Sequence, residues 1–99
     1  MLRLKNKVAL ITGGGGGIGR ATAERFAQEG AKVIIAEIDP EVGESAAESA
    51  RSFGTESGGD AYFIPTDVTD EDSVKSVIAE TIKRYDRLDI LHNNAGGST

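Results

Sequence analysis

Six of the thirteen glycines fall between Gly13 and Gly19, in the run Thr12-Gly13-Gly14-Gly15-Gly16-Gly17-Ile18-Gly19. The run follows the apolar stretch Val8-Ala9-Leu10-Ile11 and opens a segment of helical period. Glycine accepts positive φ and lets an anion reach the backbone without meeting a Cβ. A helix start adds unpaired N–H groups and a partial positive charge. The chemistry expected here is phosphate binding. Gly14, Gly16 and Gly19 satisfy G-x-G-x-x-G, and Gly13, Gly17 and Gly19 satisfy G-x-x-x-G-x-G. Five consecutive glycines make some match almost unavoidable, so the strand–loop–helix context carries the argument. A triphosphatase loop is disfavoured, because Arg20-Ala21 stands where Lys-Ser/Thr should follow the last glycine. A ligand-free turn would not need six glycines, each with its backbone-entropy cost.

The second reactive group is Glu37, twenty residues after Gly17 at the end of Lys32-Val33-Ile34-Ile35-Ala36-Glu37. In a doubly wound sheet a carboxylate at this place accepts hydrogen bonds from the adenine ribose hydroxyls. The same charge repels a 2′-phosphate, and neither the loop before Gly17 nor Ile38 supplies a neutralising cation. NAD is therefore favoured over NADP. Two alternatives stand beside this: Glu37 as an ordinary solvated carboxylate, and Asp39 as the ribose ligand.

The elements that must hold these groups alternate. Val8–Ile11 and Lys32–Glu37 read as strands buried on both faces. Between them Ile18, Ala21, Thr22 and Phe26 line one helical face, and Gly30 is placed to end that helix. A second helix over residues 41–53 presents Val42, Ala46, Ala50 and Phe53. Residues 54–60 form a loop by composition, Ala61–Ile64 is a third strand closed by Pro65, and Thr69 or Asp70 caps a helix carrying Val74, Val77, Ile78 and Ile82. Residues 88–92 read as a fourth strand ending at Asn93-Asn94-Ala95-Gly96, with His92, the only histidine, as a packed residue of a buried strand. Strands joined by single helices run parallel with right-handed crossovers, so βαβαβαβ gives an α/β, doubly wound parallel sheet.

Composition narrows the function. Ninety-nine residues make at most one domain, and a formal charge of −5 argues against a nucleic-acid footprint or an anionic membrane surface. The chain has no cysteine, which removes disulfides and thiolate zinc sites. No apolar run approaches the roughly 18 residues of a membrane span. The basic start, Met1 to Lys7, leads into an apolar run too short for a signal peptide, so the cytoplasm is the expected compartment.

Thr12-Gly-x-x-x-Gly-Ile-Gly19, Asp67-Val68 after the third strand and Asn93-Asn94-Ala95-Gly96 after the fourth occur in the order and spacing of the short-chain dehydrogenase/reductase family, which the chain resembles over nearly its whole length. The resemblance implies a Rossmann-like sheet of order 3-2-1-4. It implies that Gly13, Gly15, Gly16, Gly17, Ile18 and Gly19 hold a pyrophosphate and Glu37 the adenosine ribose. Asp67 would meet the adenine amino group with Val68 beside it, and Asn93, Asn94 and Gly96 would shape the cleft. Asn93 or Asn94 would alternatively tie the strand end by side-chain hydrogen bonds. Family catalysis uses Ser, Asn, Tyr and a Lys four residues after the Tyr. Here Tyr62 is followed at that distance by Thr66 and Tyr85 by Asp89. Residues 1–99 thus resemble the N-terminal, NAD-binding half of an alcohol or carbonyl oxidoreductase, with no catalytic residue and no metal site in the chain. A small-molecule substrate belongs to a full-length parent, and the chain alone is expected to be inactive. The alternative is a non-catalytic nucleotide-binding or assembly half-domain that self-associates through the edge of the fourth strand. A flavin or methyl-donor protein is disfavoured by Asp67-Val68 and Asn93–Gly96.

Overall fold

The structure, a computed structural model, describes residues 3–13 and 15–93. Its elements run β1 (Val8–Thr12), α1 (Gly17–Gln28), β2 (Lys32–Glu37), α2 (Pro40–Gly54), β3 (Asp60–Pro65), α3 (Glu71–Tyr85) and β4 (Ile90–Asn93). The strands form one parallel sheet of order β3-β2-β1-β4. This is the doubly wound sheet expected from the alternation of apolar runs and helical periods. Register sets Thr12 beside Ala36 and Asn93, and Glu37 beside Pro65, so the strand ends lie along one edge of the sheet.

The two faces are covered unequally. On one, α1 and α2 close over Ile11, Val33, Ile35, Ala61 and Phe63, with Leu4 and Phe26 packed at the margin. On the other, Val77 of α3 packs with Leu10, Ile34 and Ala36, flanked by Ile64, Ile78, Tyr85 and Leu88. The central strands are buried on both sides, which is why β1 and β2 read as unbroken apolar runs.

Three expectations are corrected. Helix α1 buries Gly19, Ala23 and Ala27, whereas Ile18 is exposed. Helix α2 buries Gly43, Ala46, Ala47, Ala50 and Gly54, leaving Val42 and Phe53 partly in solvent. In both helices the smallest residues face inward because the helices pack closely on each other and on the sheet. A Cβ at position 43 would collide with the Phe63 ring. The fourth strand begins at Ile90 and not at Leu88. Asp86, at φ 69, ends α3 in the left-handed region, and Leu88 packs into the α3-side core before β4 starts. β4 is an edge strand, with alternating half-buried and exposed residues, so His92 is half-buried and outside both cores.

Caps and clamps complete the frame. Asp39 caps α2, its Oδ1 accepting from the N–H groups of Glu41 (3.0 Å) and Val42 (3.3 Å). Asp70, of the two candidates, caps α3 by accepting from the Asp72 N–H. β4 is clamped at its start, where Asp89 donates its N–H to the Val8 carbonyl and accepts the Val8 N–H on Oδ2 at 2.8 Å. Arg87 donates to its other oxygen at 2.7 Å.

Candidate functional site

At the carboxyl edge of the sheet, the turn after β1, the end of β2 and the turn after β3 enclose a cleft of about 250 Å³. Gly13, Ala36, Glu37, Ile38, Thr66, Asp67, Val68 and Thr69 line it. A larger surface groove bordered by Gln28, Phe53 and Ser57 lies at the opposite pole, where α1 and α2 end. Parallel sheets bind ligands at the carboxyl ends of their strands, next to the point where strand order reverses. Here the chain runs outward from β1 to β3 on one side and returns to β4 on the other, so that point lies between β1 and β4.

Two glycines of the loop are required by what surrounds them. Gly13 turns out of β1 at φ 66, and its N–H still donates to the Ala36 carbonyl of β2 at 2.8 Å. Gly15 lies against the wall of the cleft: a Cβ there would run into Val42 Cγ1 and come within 3.1 Å of Glu37 Oε1. A Cβ would stand in open space at Gly17 and would make only ordinary contact with the Gly13 carbonyl, at 3.8 Å, at Gly16, which is the N-cap of α1 without a side chain to fill the helix end. Gly19 is buried on the inner face of α1. Ile18 projects into solvent at the helix start. The first turn of α1 holds no acidic residue, so nothing charged competes with an anion there.

Glu37 is fixed by its own turn. Its Oε2 accepts the N–H groups of Ile38 (3.0 Å) and Asp39 (3.2 Å), which leaves Oε1 beside Gly15. Asp39 is occupied as the α2 cap. Asp67 holds its Oδ1 toward Thr69, taking the Thr69 N–H at 2.9 Å and hydroxyl at 2.6 Å. These bonds, the hydroxyl's first, favour the charged form and hold the Asp67 carboxyl below its ordinary range. Ser73 Oγ fixes the same turn by accepting the Asp67 N–H at 2.9 Å. Val68 and Ile38 give the cleft apolar walls, with Ile38 64% exposed across its mouth.

At the sheet's other half, Thr12 donates its hydroxyl to Asn93 Oδ1 at 2.9 Å, joining the ends of β1 and β4. Asn93 is thus tied to β1 at the strand end. Asn94 and Gly96 lie outside the described residues, as does Gly14. Sequence reading passed over Ile38, Val42 and Thr69 as parts of the site. Ile38 carried the one available signal, a large apolar residue directly after a strand-ending acid.

A parallel sheet of order β3-β2-β1-β4, a glycine turn into a helix and an acid at the end of the second strand define a doubly wound α/β unit. The comparison with known proteins gives the family: residues 7–99 match the short chain dehydrogenase family, and the chain belongs to it. An uncharacterized oxidoreductase of Thermotoga maritima is 50% identical over 92 residues, covering 93% of this chain and 34% of that protein. Secoisolariciresinol dehydrogenase of Forsythia intermedia is 48% identical over 94 residues, 95% of this chain and 32% of that protein. Among solved structures, NAD⁺-bound xylitol dehydrogenase superposes with a TM-score of 0.86 at 37% identity, over 95% of this chain and 35% of that one. A short-chain type dehydrogenase/reductase from Mycobacterium ulcerans gives 0.91 at 31% identity, over 97% of this chain and 34% of that one. The chain therefore spans about a third of the length of these relatives.

Membership implies a nicotinamide cofactor, and the residues fit one. Gly15 keeps the cradle clear of a Cβ, Glu37 offers an oriented carboxylate, and Ile38 and Val68 offer apolar surface. Among the described residues no three His, Asp or Glu side chains converge as metal ligands. No helix of the described chain is long and apolar enough to cross a membrane.

Proposed function

We propose that residues 1–99 are the NAD-binding part of a short-chain oxidoreductase acting on an alcohol or carbonyl substrate. The observation that carries this reading is the Glu37 carboxylate, pinned by two backbone N–H groups with its free oxygen against Gly15. That arrangement suits two adjacent ribose hydroxyls and places a negative charge where NADP would bring its 2′-phosphate. Gly13, Gly15, Gly16, Gly17, Ile18 and Gly19 would hold the pyrophosphate at the start of α1, where backbone donors replace its water shell. Asp67, kept ionised by Thr69, would accept from the adenine amino group, and Ile38 and Val68 would flank the ring. Asn93, held by Thr12, would border the nicotinamide side together with Asn94 and Gly96.

Bound there, the cofactor supplies hydride exchange with a carbinol or carbonyl carbon. This segment's part is to bind and orient it. Tyr62 stacks on the Arg84 guanidinium at 3.6 Å, on outer strand β3, and Tyr85 packs at the α3-side core, so neither lines the cleft. Proton transfer and substrate choice belong to residues outside this segment, and the isolated chain turns nothing over. Titration of NAD and NADP into the chain and into Glu37→Ala tests the reading. NAD affinity should fall and the preference over NADP relax. Equal losses for both cofactors would remove the ribose assignment.

A second reading is favoured by β4. Among the described residues nothing pairs with its outer edge, and Leu91 is 57% exposed on the face where its neighbour Leu10 meets α3. Ile82 of α3 is 46% exposed. An unpaired edge beside exposed apolar side chains invites a second copy. Sedimentation of the isolated chain should show association that Leu91→Lys weakens; a monomer at all concentrations would refute it.

A further inference from the structure

A line of side-chain contacts runs along the seam between α1 and α2. Arg20, the first charged residue after the glycines, donates through Nε to Glu24 Oε2 and through Nη1 to Ser45 Oγ, both at 3.3 Å. Glu24 Oε2 also accepts the Ser49 hydroxyl at 2.6 Å. Ser45 lies three residues beyond Val42 on α2, hence on the same side of the helix and about 4.5 Å further along its axis. Val42 is the residue that, with Glu37, bounds the space at Gly15. The Arg20 guanidinium is therefore held about one helical turn below the ribose corner. Its charge is engaged by Glu24, and its side chain remains 41% accessible.

We propose that Glu24, by retaining Arg20 on the α1–α2 seam, is a positioning residue for cofactor choice. It withholds from a 2′-phosphate the cation that the glycine loop itself lacks. The inference rests on the cofactor reading above and extends it from one carboxylate to two: Glu37 repels the 2′-phosphate, and Glu24 occupies a potential partner for it. A half-exposed i,i+4 pair adds little to folding stability, so its loss should leave the fold in place. Freed from Glu24, an arginine on a flexible stem can turn toward a phosphate, for which its planar donors are well matched.

Calorimetric titration with ADP and with 2′,5′-ADP separates the two claims. ADP tests the nucleotide site, and the ratio of the two affinities tests discrimination. In a Glu37→Ser background, adding Glu24→Gln should raise 2′,5′-ADP affinity about fivefold relative to ADP, the scale of one partly screened charge-assisted contact. Adding Arg20→Gln should abolish that gain, and an unchanged circular dichroism melt confirms that the fold is retained. An unchanged ratio on Glu24→Gln overturns the proposal, as does a gain that survives loss of Arg20. Failure of the unmutated chain to bind ADP overturns the cofactor reading itself and this inference with it. If Glu24→Gln does not fold, Arg20→Lys in the Glu37→Ser background provides the second test: the shorter, single-headed cation should leave Glu24 more readily and shift the ratio in the same direction. No shift in that variant overturns the proposal.

Discussion

At the scale of single residues, the cleft is built by contact more than by conformation. Gly15 has neither a buried side chain nor a required positive φ; its glycine character is set by Val42 and Glu37, which occupy the volume a Cβ would need. In Gly15→Ala either Val42 gives way and Glu37 shifts with it, or the loop moves away from the cleft. Adenine-nucleotide affinity should fall about tenfold, the loss expected from misplacing one oriented carboxylate. Titration of ADP measures it, and an unaltered affinity would show that the loop does not touch ligand at this point. The sequence could show that the run was rich in glycine, but not which glycines are crowded. That depends on α2 meeting the loop after an interval of more than twenty residues.

At the scale of elements, helix ends decide more than helix lengths. Asp39 and Glu37 were rival ribose ligands by position, and the structure separates their work: Asp39 accepts from the first turn of α2 while Glu37 faces Gly15. Asp39→Ala should therefore cost about 1 kcal/mol of stability, the usual worth of such a cap. Urea unfolding would register it, with nucleotide affinity changed less than by Glu37→Ala. An affinity loss exceeding that of Glu37→Ala would return the ribose role to Asp39. The order of elements was legible because buried parallel strands are uniformly apolar, as Val8–Ile11 and Val33–Ala36 are. The inward faces of α1 and α2 were not, since hydropathy follows the large residues. Ile18, Val42 and Phe53 attracted the reading, while Gly43, Ala46 and Ala50 took the buried positions because only they admit close approach. The start of β4 was obscured similarly: Leu88 is apolar for core packing, and Asp89 is polar in order to hold Val8.

At the scale of the whole molecule, three carboxylates tie distant parts of the chain or its turns and should make it acid-sensitive. Glu29 accepts the Arg3 N–H, Asp67 is bonded by Thr69, and Asp89 is bonded by Arg87 and the Val8 N–H. Each is lowered from its ordinary value, chiefly by these hydrogen bonds. A lowered folded-state pKa means that the unfolded chain takes up protons first as pH falls. The stabilisation is present above the ordinary carboxylate range and drains away below roughly pH 4. Melting temperature should hold from neutrality to about pH 5 and then decline. In Asp89→Asn the decline should be shallower, starting from a lower plateau. A decline as steep as that of the unmutated chain would exclude Asp89 from the acid response.

The unequal cover of the sheet also bears on the order in which the molecule can be made. Every buried residue of the α1–α2 core, from Ile11 to Phe63, precedes α3 in the chain. During synthesis that core can close, with β1, β2 and β3 aligned, while α3 and β4 are still inside the ribosome. Until Val77 arrives, Leu10, Ile34 and Ala36 form a bare apolar surface on the nascent chain. The interval between Phe63 and Val77 is then the moment at which a chaperone has most to cover.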